Sequence, residues 1–127
     1  MLSTPLTDEL STNVYKLIMT LNEYQEKAKK TAHYPNAGKN FVYPTLGLAG
    51  EAGEVAEKVK KALRDDGGEM SAERRNAIAG ELGDVLWYVS QVATELNLTL
   101  DEIAEKNIVK LADRAARGTI AGSGDNR

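Results

Sequence analysis

The 127-residue sequence predicts an all-α, four-helix-bundle-like protein on three observations. Strand-favouring aromatics are scarce, with one Phe and five Tyr, and only three Pro interrupt a chain rich in Ala, Glu, Lys and Leu. Apolar residues recur at spacings of three and four, the period of a helix with one buried face. Helix punctuation lies between these stretches: Thr20 to Glu23 and Thr99 to Glu102 spell capping boxes, and Asp65-Asp66-Gly67-Gly68 is a stop.

The first stripe, Leu10, Val14, Leu17, Leu21, Tyr24 and Ala28, predicts a helix from Thr7 to Ala32, or two helices if the capping box at Thr20 breaks it. His33 to Pro44 loses the period and reads as a loop. A second helix follows from Tyr43 to Leu63, with Leu48, Ala52, Val55, Val59 and Ala62 as its stripe. A third opens near Ser71 and carries Ile78, Leu82, Val85, Val89, Val92 and Leu96. The capping box at Thr99 starts a fourth that runs to Ala116, and the glycine-rich polar remainder has the composition of a mobile tail. A chain of this length is expected to be a single domain over 1–127, with 1–18 as an N-terminal helical extension and 117–127 as the tail.

With no Cys and only His33, a disulfide framework, a thiolate zinc site, a cysteine nucleophile and a two-histidine metal site are all excluded. A carboxylate-bridged di-iron centre, which needs a Glu-x-x-His motif from each of two helices, goes with them. A net charge of −3 and the lack of a basic stripe argue against nucleic-acid polymers as partners. No run of about eighteen apolar residues occurs, and the start lacks a basic, then apolar, leader, so no membrane association and a cytoplasmic location are expected.

The chain also repeats itself. Shifted by thirty residues, Ala49-Gly50-Glu51-Ala52-Gly53-Glu54-Val55 falls on Ala79-Gly80-Glu81-Leu82-Gly83-Asp84-Val85. Each copy places two carboxylates at i and i+3, on one side of a helix and flanking its apolar stripe. If the second and third helices form an antiparallel hairpin about Gly67-Gly68, residues 51 and 84, and likewise 54 and 81, share a midpoint at that break. Four acids at one height repel unless cations sit between them, and hard oxygen donors of this kind suit Mg²⁺ or Mn²⁺ with substrate phosphates completing the coordination. Gly50, Gly53, Gly80 and Gly83 each cost a helix roughly 1 kcal/mol against Ala, which close helix approach beside the carboxylates would explain. The competing reading makes the four ordinary solvated acids paired with Lys58, Lys61 or Arg74.

Gly50-Glu51-Ala52-Gly53-Glu54, a spacer of 26 residues (55 to 80) and Glu81-Leu82-Gly83-Asp84 resemble the signature of the MazG-like nucleotide pyrophosphohydrolases, the all-α NTP pyrophosphatase superfamily. Gly50 stands where the commoner form of that signature has a first Glu. The resemblance runs from about Leu21 to the C-terminus, through Asn107-x-x-Lys110-x-x-x-Arg114 and the closing R-G-x-I-x-G-x-G-D-x-R.

The resemblance implies a MazG fold whose helical hairpin carries the acidic site, and hydrolysis of a nucleoside triphosphate between its α and β phosphates. It implies that Glu51, Glu54, Glu81 and Asp84 ligate Mg²⁺, with Mn²⁺ able to substitute, and that Glu54 or Glu57 takes the proton of the attacking water. Lys58, Tyr88, Asn107, Lys110 and Arg114 are the phosphate-binding candidates, each with a packing or ion-pairing alternative. His33, Tyr34, Asn36, Phe41, Tyr43 and Trp87 are candidates for meeting a base, and core or a subunit interface is the stronger reading for Trp87. Arg117, Asp125 and Arg127 belong to a tail expected to fold over a phosphate-filled site. The family forms homodimers and homotetramers with composite sites, and the same is expected here. The alternative function is a non-catalytic helical interaction module with an acidic metal-binding patch.

Overall fold

Three helices of this chain start where a side chain satisfies an otherwise orphaned backbone amide. In the computed structural model, which describes residues 18–125, Thr20 caps Glu23 with the Glu23 carboxylate returning to the Thr20 amide, and Thr99 does the same with Glu102. Ser71 caps the Arg74 amide at 3.1 Å. Four helices and no strand result among the described residues: α1 Leu21–Lys29, α2 Val42–Asp65, α3 Ala72–Glu95 and α4 Leu100–Ala116. The fold is all-α. Thr20 breaks the first stripe, as the capping box allows, because its extended backbone ends any helix reaching it from before. Leu10, Val14 and Leu17 lie outside the described residues.

α2 and α3 form an antiparallel hairpin; α1 lies against α3, and α4 against α1. Gly67 and Gly68 turn the hairpin with φ of 61° and 87°, the left-handed region that residues with a Cβ avoid. Arg74 closes it from the start of α3, its Nε 2.6 Å from Asp66. No helix among the described residues is long and apolar enough to cross a membrane.

Two expectations about packing need correction. Ala52, Val59, Leu82 and Leu96, assigned to buried stripes, are exposed. The hairpin instead covers a face of α2 made by Pro44, Leu48, Glu51, Val55, Lys58 and Ala62, so the helices meet through the side that carries the first acid. For the same reason Gly50, Gly53, Gly80 and Gly83 face outward: a Cβ at any of them meets nothing within 4 Å. Close approach of α2 and α3 does not explain them. Much apolar surface is left outside, with Leu46 68% exposed and Leu63, Ile108 and Val109 nearly as open.

A buried glutamine joins three elements. Gln25, 7% exposed, donates from Nε2 to Thr94 Oγ1 (3.1 Å) and the Leu98 carbonyl (2.9 Å), and its Oε1 accepts from the Leu100 amide at 2.8 Å. It fastens α1 to the end of α3 and the start of α4. Replacing it with Leu strands one buried amide and one carbonyl at about 1 to 3 kcal/mol apiece. Urea unfolding of Gln25→Leu is expected to show a loss of about 2 to 4 kcal/mol with an unchanged m-value.

Candidate metal centre

The hairpin register sets the site. Glu51 on α2 faces Glu81 and Asp84 on α3, and one carboxylate oxygen from each lies within 4.8 Å of the others. Glu51 and Glu81 are half-buried and Asp84 is exposed. Burial raises the Glu51 carboxyl above its usual range, and the charges of Asp84, Glu81 and Glu54 and a hydrogen bond with Glu81 push it the same way. Glu54, one turn on and exposed, therefore adds to the field without joining the group of three. Lys58 reaches Glu81 at 3.2 Å rather than Glu54, and Arg74 is engaged at the hairpin turn by Asp65 and Asp66. Three hard oxygen donors sharing one partly compensating lysine fit a divalent cation.

Glu57 points its charge elsewhere. Lys60 binds its carboxylate at 2.5 Å and, by that hydrogen bond and its charge, holds Glu57 below the usual carboxylate range. The cluster instead continues toward Tyr88, one turn after Asp84. Burial raises the Tyr88 hydroxyl, and Tyr43, Glu51 and Asp84 raise it further, so it stays a neutral donor beside the carboxylates. Its ring rests on Gly47, where a Cβ would come within 2.1 Å of ring carbon Cε1. Gly47 is the one helical glycine of the hairpin that a close contact demands.

Beyond Tyr88 lies an aromatic cluster. Trp87 meets Tyr88 edge to face at 5.0 Å and Tyr34 at 6.4 Å, and Tyr34 stacks on Tyr43 with centroids 5.0 Å apart and planes 14° from parallel. Trp87 is half-buried, its indole N–H donating to Thr31 at 2.7 Å, so it packs as a wall of this cluster. Tyr34 is buried, whereas His33, Asn36, Phe41 and Tyr43 are exposed. Of the base-meeting candidates, Tyr34, Tyr43 and Trp87 come together beside Tyr88.

On α4, Lys110 and Arg114 turn to the tail. Arg114, 4% exposed, donates to the Asp125 carbonyl at 3.0 Å, and its guanidinium stands 3.7 Å from the Asp125 carboxylate, which also lies 3.9 Å from Lys110. Asn107 is exposed, and Arg117 pairs with Asp113 at 2.8 Å. The tail thus folds back on α4 as far as Asp125; Arg127 lies outside the described residues. Sequence reading missed Gly47 and Glu95, the latter an acceptor for three donors of the 34–40 loop. A glycine inside a helical stretch was the available signal for Gly47; nothing local marks Glu95.

The family model of the MazG nucleotide pyrophosphohydrolase domain matches residues 44–118, which holds all four acids of the hairpin and the whole of α4. The chain belongs to the MazG family. This MazG chain is also similar to the Gene 37 protein of Mycobacterium phage L5, 48% identical over 114 residues that span 86% of this chain and all of the relative. No solved structure matches it.

Two outcomes test the geometry of this MazG site without substrate. Glu51→Gln removes a crowded charge while keeping a hydrogen-bonding group, so in EDTA its Tm is expected above that of the wild type, with the gap narrowing in molar salt as the repulsion is screened. Gly→Ala inside a helix normally stabilises, by about 1 kcal/mol, but Gly47→Ala must displace the Tyr88 ring and is expected to lower Tm. In a Tyr88→Ala background the same change is expected to regain the usual gain.

Proposed function

We propose that this chain is a Mg²⁺-dependent nucleoside triphosphate pyrophosphohydrolase, with Mn²⁺ able to substitute, that releases pyrophosphate and the nucleoside monophosphate. The observation that carries the reading is the convergence of Glu51, Glu81 and Asp84 from two helices in a chain of the MazG nucleotide pyrophosphohydrolase family. Those three, with Glu54 beside them, would hold the cation, which when bound supplies neutralising charge for the phosphates and acidifies a water molecule.

The chain's own residues then divide the work. Water oxygen bonds to the α-phosphorus, the bond from that phosphorus to the bridging oxygen of the leaving pyrophosphate breaks, and a carboxylate accepts the water's proton. Glu54 suits that role better than Glu57, because the latter is tied to Lys60 and its lowered pKa makes it a weak base. Lys58, already beside Glu81, and the neutral Tyr88 hydroxyl suit phosphate oxygens. The Tyr43 ring, with Tyr34 behind it and His33 and Asn36 nearby in the chain, suits the base. Asn107, Lys110 and Arg114 ride on α4, which packs on α1 rather than broadly on the hairpin, so they would serve a phosphate chiefly across a homodimer or homotetramer. The outward Leu46, Leu63, Ile108 and Val109 support such an assembly.

The test is a pyrophosphate-release assay across the common NTPs and dNTPs with Mg²⁺, Mn²⁺ or EDTA. Metal-dependent formation of monophosphate and pyrophosphate is expected, with Glu54→Ala and Asp84→Ala reducing kcat by about a hundredfold or more, the scale of losing one group that stabilises transition-state charge. No turnover on any nucleotide, with metal binding intact, would overturn the reading in favour of a helical module whose acidic patch only binds.

A further inference from the structure

We propose that Glu95, at the far end of α3 from the hairpin turn, is a positioning residue for the base: it sets where the Tyr43 ring stands relative to the acidic cluster. The proposal rests on the reading that the chain takes a nucleoside triphosphate, and it adds a residue that touches neither phosphate nor base.

One carboxylate gathers a whole loop. Glu95 Oε1 accepts from the Tyr34 hydroxyl and, at 2.8 Å, from the Gly38 amide; Oε2 accepts from the Asn40 amide at 3.0 Å. Two routes run from these bonds to Tyr43. Through the ring, Tyr34 is fixed at its hydroxyl and forms the floor on which Tyr43 stacks. Through the backbone, Asn40 is fixed at its amide, and its Oδ1 accepts from the Tyr43 amide at 3.1 Å while its Nδ2 donates to the Pro35 carbonyl at 2.8 Å. Both the main chain and the ring of Tyr43 are therefore referenced to α3, the helix that carries Glu81 and Asp84. Tyr43 is itself 44% exposed, which leaves aromatic surface for a planar partner.

The chemistry requires a carboxylate. Three donors converge on two oxygens, and an amide at this position would turn an N–H₂ toward either the Asn40 amide or the pair at Oε1. Burial alone would raise the Glu95 carboxyl, but the bonds from Tyr34, Gly38 and Asn40 outweigh it and keep the group ionised.

The experiment compares wild type, Glu95→Gln, Glu95→Ala, Tyr43→Leu and the double variant Glu95→Ala/Tyr43→Leu. Steady-state kinetics use the triphosphate that wild type hydrolyses best. Trp87, the single Trp and in contact with Tyr34 and Tyr88, reports binding of an α,β-methylene analogue by its fluorescence. Inorganic tripolyphosphate, which has no base, serves as a competitive probe.

Positioning predicts a rise in KM and in the analogue Kd of roughly tenfold for each Glu95 variant, the low end of what loss of a base stack costs. It also predicts kcat within a few fold of wild type, a double variant no worse than Tyr43→Leu, and unchanged inhibition by tripolyphosphate. If Glu95→Ala fails to fold, Glu95→Gln carries the same comparison. An unchanged KM, a matching loss toward tripolyphosphate, or additive effects in the double variant would each overturn the proposal while leaving the hydrolase reading standing. A wild type that neither hydrolyses nucleotides nor binds the analogue overturns both.

Discussion

The register of α2 against α3 is the constraint on which the rest depends. Gly67 and Gly68 fix the turn in a conformation other residues resist, and every pairing along the hairpin follows from it. Glu51 meets Glu81 and Asp84, Lys58 meets Glu81, and the Tyr88 ring finds the bare backbone of Gly47. Slipping one helix by a residue would swing its side chains about 100° around the axis and undo all of these together. The crowding of negative charge is thus built into the turn, and a counter-charge brought between the carboxylates, or a proton taken up by one of them, relieves it.

A second consequence concerns distance. α3 carries Glu81, Asp84 and Tyr88 on successive turns and Glu95 two turns further on, so one element measures out the span from acidic cluster to aromatic cluster. The aromatic rings come from a loop and the start of α2, yet they are hung on α3 through Trp87 and Glu95. A rigid helix is a better ruler than the loop it organises.

How much of this the sequence disclosed depends on whether the signal was local. The capping boxes at Thr20 and Thr99, the Ser71 start and the Gly67-Gly68 stop were readable because each acts on residues three or four away. The shared height of the acids was readable because a repeat and a pivot are arithmetic. Which face packs was not: periodicity selects the most apolar stripe, while the hairpin covers Glu51 and Lys58 and leaves Leu82 52% exposed. Gln25 and Glu95 were invisible because their partners lie some fifty-five to seventy-five positions away, and a polar residue bonded at that separation leaves no periodic trace. Glu51, Glu81 and Asp84 come together as the motif implied; Glu54 stands one turn aside, and Asn107, Lys110 and Arg114 stand on another part of the fold.

The Arg114 contact has its own logic. A nearly inaccessible guanidinium is covered by a segment whose residues from 120 to 125 are all exposed. Lifting that segment would return the cation to water, so hydration regained would offset part of the pairing lost. Asp125 is in this sense a counter-ion the chain carries on a short leash. That counter-ion stands where any other anion reaching Lys110 and Arg114 would have to stand.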